Sequence, residues 1–203
     1  ARLLLKSYNR QYNQYNKLKV MLKNNLIALL DQTFPGANTL FSTPTRKADG
    51  HEKWGDFVLK YPHAECISKK SLSSFSKSYL SWWSKFGYNF SERKSRTVYD
   101  FACNCSPSLS FTESTALLVS NAISQLNCIN ETLASLTSEM NKIAATLPEY
   151  CTVMSMFGVG SVLGSQLIAE IGDVTRFSNK KALVGFAGLD ASPFQSGNFN
   201  PQS

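Results

Sequence analysis

A Gly-x-Gly turn is the first feature of the sequence whose residue types and spacing could do chemistry. It reads FGVG over residues 157–160 and precedes an amphipathic stretch at 161–173, which predicts a helix-hairpin-helix. Glycines permit positive φ angles and a close backbone approach, and the free amides at the start of a helix can hold a DNA phosphate. The valine of the turn has no charge, so such a contact would not depend on base sequence. The predicted DNA-binding residues are Gly158, Val159, Gly160 and Ser161.

A further helix is predicted directly after this motif, over residues 179–189. Ser178 is a plausible N-cap for it, and Gly188 is a plausible stop. Many ordinary helix turns contain a lone Gly-x-Gly, and this continuation makes the motif more specific. Further candidates for DNA contact, in the first turn of the predicted helix, are Lys180 and Lys181.

One histidine and three cysteines form the other group with chemical potential. His63-x-x-Cys66 and Cys103-x-Cys105 supply four candidate zinc ligands. Structural zinc sites usually show tighter C-x(2–4)-C knuckles, so we expect semi-buried thiols here and no metal site. The five cysteines of the chain are an odd, scattered set, which argues against a disulfide framework and for reduced thiols.

The element that opens the chain is a predicted long helix over residues 2–33. No Pro or Gly interrupts it, apolar residues recur every three to four positions, and Pro35-Gly36 ends it. A helix of this length needs a packing partner, which we expect upstream. Ala1 is not Met and residues 200–203 form no obvious terminal element, so we expect both ends to be cuts in a longer coding sequence.

Residues 43–109 are predicted to form a helical linker region, which starts with a polar loop at 42–53. Aromatic residues fall in short helical patches, and Lys and Arg lie between them. Base stacking combined with phosphate contact would use such a mixture. The alternative is a small helical subdomain whose aromatic residues form the core. We favour the core for Trp82 and Trp83, because large aromatic side chains are mostly buried.

The clearest local pattern is a heptad repeat within residues 110–148. Ser110 and Glu113 fit a capping box that opens a helix, and Pro148 stops it. The apolar seam could pair between subunits or fold back on a helix of its own chain. Because a sustained heptad specifies a coiled coil, we favour a homo-oligomer contact through residues 119–147. One series is Val119, Leu126, Leu133, Met140 and Leu147, and the other is Ala122, Ile129, Leu136 and Ile143.

Charge is unevenly distributed along the chain. Residues 1–100 contain 17 Lys and Arg against 7 Asp and Glu, whereas residues 101–203 contain 4 against 7. A basic half indicates an anionic partner, usually nucleic acid, and a solvated basic surface is the alternative. No apolar run approaches the roughly 20 residues that span a bilayer. We therefore expect a cytoplasmic protein with no membrane contact.

The C-terminal motifs together resemble a known family. The string G-V-G-x6-L-x-A-E-I-G-D-x-x-R-F-S, then A-L-x-x-x-A-G-L and then Q-S-G, is similar to the C-terminal domain of the IS-one-ten type (DEDD) insertion-sequence transposases. The similarity is dense over residues 153–197. The N-terminal helix that ends before Pro35 resembles the helix that closes the family's RuvC-like domain, and residues 43–110 match loosely.

This resemblance implies an activity and a set of partners. Such enzymes carry four metal-binding carboxylates in the RuvC-like domain and a reactive serine in the C-terminal domain, and they cut and rejoin DNA through a covalent protein–DNA link. They use a structured non-coding guide RNA and assemble as dimers and higher oligomers. Ser196, in the string QSG, matches the serine, which a carboxylate–Mg²⁺ site would activate. Outside this family context, Ser196 is an ordinary turn serine.

The sequence departs from the family pattern at two positions near that serine. Ala191 stands where the family usually has proline, and Asn198 where a basic residue often follows. The metal-binding carboxylates are expected before Ala1. Mg²⁺ would therefore bind the full-length parent and not this chain, and we expect the chain alone not to cut DNA.

The combined prediction is a mainly α protein with a long N-terminal helix, a helical middle, a coiled-coil helix and a C-terminal helix-hairpin-helix-like domain. Its predicted function is part of a DNA transposase that binds DNA and supplies a serine for strand cleavage and rejoining. The alternatives are a non-catalytic DNA-binding module and a remnant of an inactive element. The predicted domains are residues 1–42, 43–109, 110–148 and 149–203.

Overall fold

Two long antiparallel helices form the frame of the structure, a computed structural model that describes residues 1–41, 46, 49–88 and 90–188. These are α1 (Arg2–Thr33) and α6 (Glu113–Ala145). No strand occurs within the described ranges, so the predicted mainly α fold is confirmed. The other helices are α2 (Lys53–Lys60), α3 (Glu65–Ser68), α4 (Leu72–Phe86), α5 (Glu92–Cys103), α7 (Tyr150–Met154), α8 (Ser161–Ile171) and α9 (Lys180–Phe186), with 3₁₀ turns at Ala37–Thr39 and Val174–Arg176.

The first helix has the predicted bounds and packs on another helix of the same chain. Its apolar face lies along α6, which follows it in the sequence. Leu26 and Leu30 are fully buried beside Ile123 of α6. At the other end, Leu5 is buried in a second core with Met140. The pairing is therefore antiparallel, and it joins two hydrophobic cores.

The heptad seam of α6 is filled from within the chain. All five residues of the series that starts at Val119 are buried. The row that completes the buried face is Ile123, Asn130 and Ala144, whereas the series that starts at Ala122 is only half-buried. Each of these three residues follows a member of the Ala122 series by one position, which is the e position of the heptad. The contact face of α6 is thus rotated toward the e positions, because α1 lies over them. Of the two pairings that the heptad allowed, the structure has the fold-back on a helix of the same chain. The buried series is therefore occupied by α1, so the favoured subunit contact would fall to the half-buried series.

Two predicted helix caps are shifted by one or two residues. The N-cap of α6 is Thr112 and not Ser110: its Oγ1 accepts a hydrogen bond from the Thr115 amide at 3.1 Å, and Thr115 Oγ1 accepts one from the Thr112 amide at 2.9 Å. The N-cap of α9 is Asn179, next to the predicted Ser178, and its Oδ1 accepts from the Ala182 amide at 2.9 Å. In each case two nearby residues are suitable caps. The residue that caps the helix is the one whose side-chain oxygen reaches the amide of the third helical residue.

The helical middle (α2 to α5, called the middle domain below) packs around aromatic rings in a core that it shares with α1 and α6. Trp82 and Trp83 are 2% and 4% exposed, so their predicted place in the core is confirmed. Phe57 of α2 meets the Trp82 ring edge-on, with 5.6 Å between the ring centroids. The ammonium of Lys53 lies 3.4 Å from the centroid of the Trp83 ring, and burial lowers its pKa to about 8. Aromatic faces offset part of the cost of burying this cation.

A substitution at the helix–helix contact tests whether α1 is the partner of α6. We expect Leu126→Ala to lower the free energy of unfolding by about 2–5 kcal/mol, because Leu126 is 1% exposed and its removal leaves a cavity. Leu118→Ala on the same helix is the control, since Leu118 is 53% exposed and its loss should cost less than about 0.5 kcal/mol. Urea unfolding measures both. A midpoint that rises with protein concentration would show instead that the partner of α6 is another subunit.

Candidate functional site

The predicted glycine turn lies between two packed helices. The short helix α7 ends at Met154, and α8 begins at Ser161. The amide of Val159 donates to the carbonyl of Met156 at 3.2 Å, which closes the turn. The side chain of Val159 is half-buried against the core that contains Leu5. The turn is thus anchored by Val159, and its backbone remains at the surface.

The two glycines of the turn have different physical roles. Gly158 has a φ of 79°, a left-handed conformation that residues with a Cβ adopt at a cost. Gly160 is extended, with φ −87° and ψ 172°, and any residue can adopt this conformation. A Cβ added at Gly160 would meet no atom within 4 Å. The turn therefore needs glycine at position 158 for its shape, whereas glycine at 160 leaves the start of α8 uncovered.

The N-terminus of α8 is free of the groups that usually satisfy it. Gly160 is the N-cap and offers no side-chain acceptor, and the first turn of α8 contains no acidic residue. Gly160 and Ser161 are both exposed. The partial positive charge of the helix dipole is therefore not neutralised by the protein in this part of the structure.

Polar contacts to the long helices hold α8 in place. The Nδ2 of Asn9 in α1 donates to Glu170 Oε1 at 2.5 Å, and the Oγ of Ser165 donates to Asn141 of α6. Asn9 and Ser165 are both 1% exposed. Because a buried polar group without a partner is costly, these pairs fix the rotation of α8 about its own axis. The orientation of its N-terminus follows from that rotation.

The predicted lysines, Lys180 and Lys181, lie in the first turn of α9 and are exposed. A cavity of about 290 Å³ is lined by Leu183 of α9 together with Val153 of α7 and Ile168 of α8. The structure therefore places α9 next to the two helices that flank the turn, without a direct contact between the lysines and the glycines. Ser196, together with Ala191 and Asn198, lies outside the described residues.

The four candidate zinc ligands do not form a metal site. The Nδ1 of His63 accepts from the Glu65 amide at 3.1 Å, so its Nε2 carries the proton and donates to the Leu109 carbonyl at 2.9 Å. Burial raises the pKa values of the Cys66 and Cys105 thiols, which keeps them protonated. Nowhere in the described ranges do three or more His, Cys, Asp or Glu side chains converge in a way that could hold a metal ion.

A charged cluster in the middle domain was not predicted from the sequence. Asp56 is 2% exposed, accepts a hydrogen bond from Tyr88 Oη at 2.8 Å and lies 3.3 Å from Arg46 Nη1. A hydrogen bond from Arg46 lowers the pKa of Asp49 to about 2. The sequence before α2 is polar and does not distinguish a buried charge from an exposed one. The one indication of a buried charge was an aspartate within the aromatic-rich α2. The contacts pair these carboxylates with Arg46, so they are structural.

Comparison with known proteins identifies the part of the chain that contains the turn. Residues 151–203, about a quarter of the chain, match the family model of the Transposase IS116/IS110/IS902 family. This match supports the resemblance of this part of the chain to IS110-type insertion-sequence transposases, which the motifs predicted. No curated protein and no solved structure matches the chain. No helix within the described residues is long and apolar enough to cross a membrane.

The unequal roles of the two glycines predict unequal effects on stability. We expect Gly158→Ala to lower the free energy of unfolding by about 1–2 kcal/mol, because alanine is strained at a φ of 79°. Gly160→Asn should raise it by a few tenths of a kcal/mol, because asparagine caps the first amides of α8. Chemical denaturation of both variants checks this. Equal losses would mean that the turn needs glycine at both positions for its shape.

Proposed function

We propose that this chain is part of a DNA transposase and that it contacts the DNA backbone through the turn between α7 and α8. The observation that carries the proposal is the uncapped, exposed N-terminus of α8, within the residues that match a transposase family. A phosphate oxygen can accept hydrogen bonds from the first amides of such a helix and is attracted by its dipole. Gly158, Gly160 and Ser161 are the contact residues in this proposal.

The chemistry of the turn favours contact without base recognition. Val159 points into the core and offers no hydrogen-bonding group to a base edge. Lys180 and Lys181 on α9 are exposed and can add two charge contacts to neighbouring phosphates. Backbone amides and lysines fix the position of a protein on DNA, whereas base sequence is recognised by side chains in the grooves. The choice of target therefore belongs to another component, for which we propose the structured guide RNA of the resembled family.

We propose Ser196 as the nucleophile of strand cleavage and rejoining. Its Oγ would form an ester bond to a backbone phosphorus as the bond from that phosphorus to one deoxyribose oxygen breaks, and the proton would pass to the departing oxygen. The phosphoester energy is kept in the protein–DNA link, so a second deoxyribose hydroxyl can reverse the step and rejoin the strand. No residue of the described part is assigned to activate this serine. The metal-binding carboxylates stay an expectation for a RuvC-like domain.

Our proposal for the assembly of the protein into oligomers is less detailed than the proposals for DNA contact and catalysis. A homo-oligomer contact through residues 119–147 would have to use the half-buried series, above all Ile129 and Leu136, because the buried series packs on α1. We retain the oligomer as a proposal on that basis.

All five cysteines are free thiols, which supports a reducing, cytoplasmic location. The predicted domain boundaries at residues 42, 109 and 148 likewise stay a proposal.

A charge placed at the N-cap of α8 tests the DNA contact. We expect Gly160→Asp to keep the fold, since aspartate is a good N-cap, and to weaken duplex DNA binding, because its carboxylate occupies the phosphate position and repels DNA. Gly160→Asn is the matched control, because it caps the helix with a side chain of the same shape and no charge. Fluorescence anisotropy with a labelled duplex measures both affinities. Equal affinity of the two variants would exclude a phosphate at this helix end.

Removing the proposed nucleophile separates the transposase from a non-catalytic DNA-binding module. In the full-length protein, we expect Ser196→Ala to abolish strand exchange and the covalent protein–DNA link while DNA affinity stays within about twofold of wild type, because one hydroxyl adds little to binding. Ser192→Ala, in the same segment, is the control. Denaturing gels of radiolabelled DNA detect the link. An unchanged rate of strand exchange would remove Ser196 from the reaction.

A further inference from the structure

The middle domain has a strongly basic surface that the proposed contact at α8 does not use. Residues 53–96 contain nine Lys and Arg against three Asp and Glu. Two of the three carboxylates are already paired: Asp56 with Arg46, and Glu65 with Lys69. The positive charge of this domain is therefore largely uncompensated by its own acidic residues.

Three of these lysines are held close together at the surface. The Nζ atoms of Lys60 and Lys70 each lie 5.6 Å from the centroid of the Tyr61 ring. The pKa of Lys60 is lowered, first by partial burial and then by the charges of Lys70 and Lys85. None of the three forms an ion pair within the described part of the chain, and all are exposed. The fold thus keeps like charges together without a counter-charge, which an anionic ligand would supply.

A groove between α2 and α4 lies within this cluster. Its volume is about 260 Å³, and it is lined by Lys60 of α2 and by Ser81 and Lys85 of α4. The Nζ of Lys60 also donates to the Ser78 carbonyl at 2.9 Å, so this side chain is held at the edge of the groove. The acidic group in the lining, Asp56, is buried and already bound to Arg46. Lysines and a serine hydroxyl are the groups that proteins use to contact nucleic-acid phosphates.

We propose that the α2–α4 groove is a second DNA-contacting surface, which holds the sugar-phosphate backbone of duplex DNA through Lys60, Lys70 and Lys85. The inference deepens the proposed function and rests on it for the identity of the polyanion. A duplex fits better than a single strand, because single-strand binding relies on exposed aromatic rings for stacking. Of the two rings that line this groove, Trp82 is buried in the core, and Phe86 is half-buried with the ammonium of Lys85 5.8 Å from its ring centroid.

The test compares two variants that each remove two positive charges. Lys60→Gln/Lys85→Gln changes the groove, whereas Lys6→Gln/Lys17→Gln changes exposed lysines of α1 and is the control. Anisotropy is measured over a range of salt with a 20-base-pair DNA duplex, the same sequence as a single strand, and an RNA duplex. We expect the groove variant to lower the slope of log affinity against log salt by about 0.9 for each phosphate that the protein no longer neutralises. The control should keep the wild-type slope, and Lys60→Arg/Lys85→Arg should restore it.

Each other outcome has a defined meaning. A groove variant that binds duplex DNA like the control overturns the inference, as does an arginine variant that fails to restore binding. Tighter binding of the single strand or of the RNA duplex overturns the choice of occupant. The Gly160→Asp variant in the same assay reports on the α8 turn separately. If Gly160→Asp weakens binding and the groove variant does not, the groove inference fails alone; if neither weakens binding, the proposed function fails with it.

Discussion

The antiparallel packing of α1 on α6 is the contact on which the rest of the structure depends. Each helix is about 30 residues long, and neither could be stable alone in water with its apolar face exposed. Their pairing buries Leu26, Leu30 and Ile123 at one end and Leu5 and Met140 at the other. The short helices then add to these two cores. The aromatic middle domain and the C-terminal helices therefore owe their positions to one helix–helix interface.

Local periodicity was enough to predict most elements but not their partners. The bounds of α1 follow from an uninterrupted apolar pattern and a Pro-Gly stop, both properties of adjacent residues. The same pattern predicts that one face of the helix is buried, but it does not identify the element that packs on that face. For this reason a partner was expected upstream for α1 and in another subunit for α6, whereas the structure shows the two helices packed on each other. The rotation of the contact face toward Ile123 depends on both helices and cannot be predicted from the sequence of either helix alone.

The candidate site likewise has features that a short stretch of sequence predicts and features that depend on residues far apart in the sequence. The glycine turn and the start of α8 were predictable, because glycine at 158 and 160 carries a direct conformational meaning. The contact between Asn9 and Glu170 was not, since it joins residues 161 positions apart and neither lies in a recognisable motif. Buried charges such as Asp56 were missed for the same reason. Family resemblance supplied the role of Ser196, which no local pattern could.

The length of the helical hairpin sets a distance between the two ends of the molecule. Leu5 and Leu30 lie in different cores, and 25 residues of α-helix between them correspond to about 38 Å. One helical turn of B-form DNA measures about 34–36 Å. The two cores are therefore separated along the hairpin by about one turn of a duplex, and each proposed DNA contact lies beside a different core. The number of residues in α1 sets this separation, so lengthening or shortening α1 would change the spacing between the two proposed contacts.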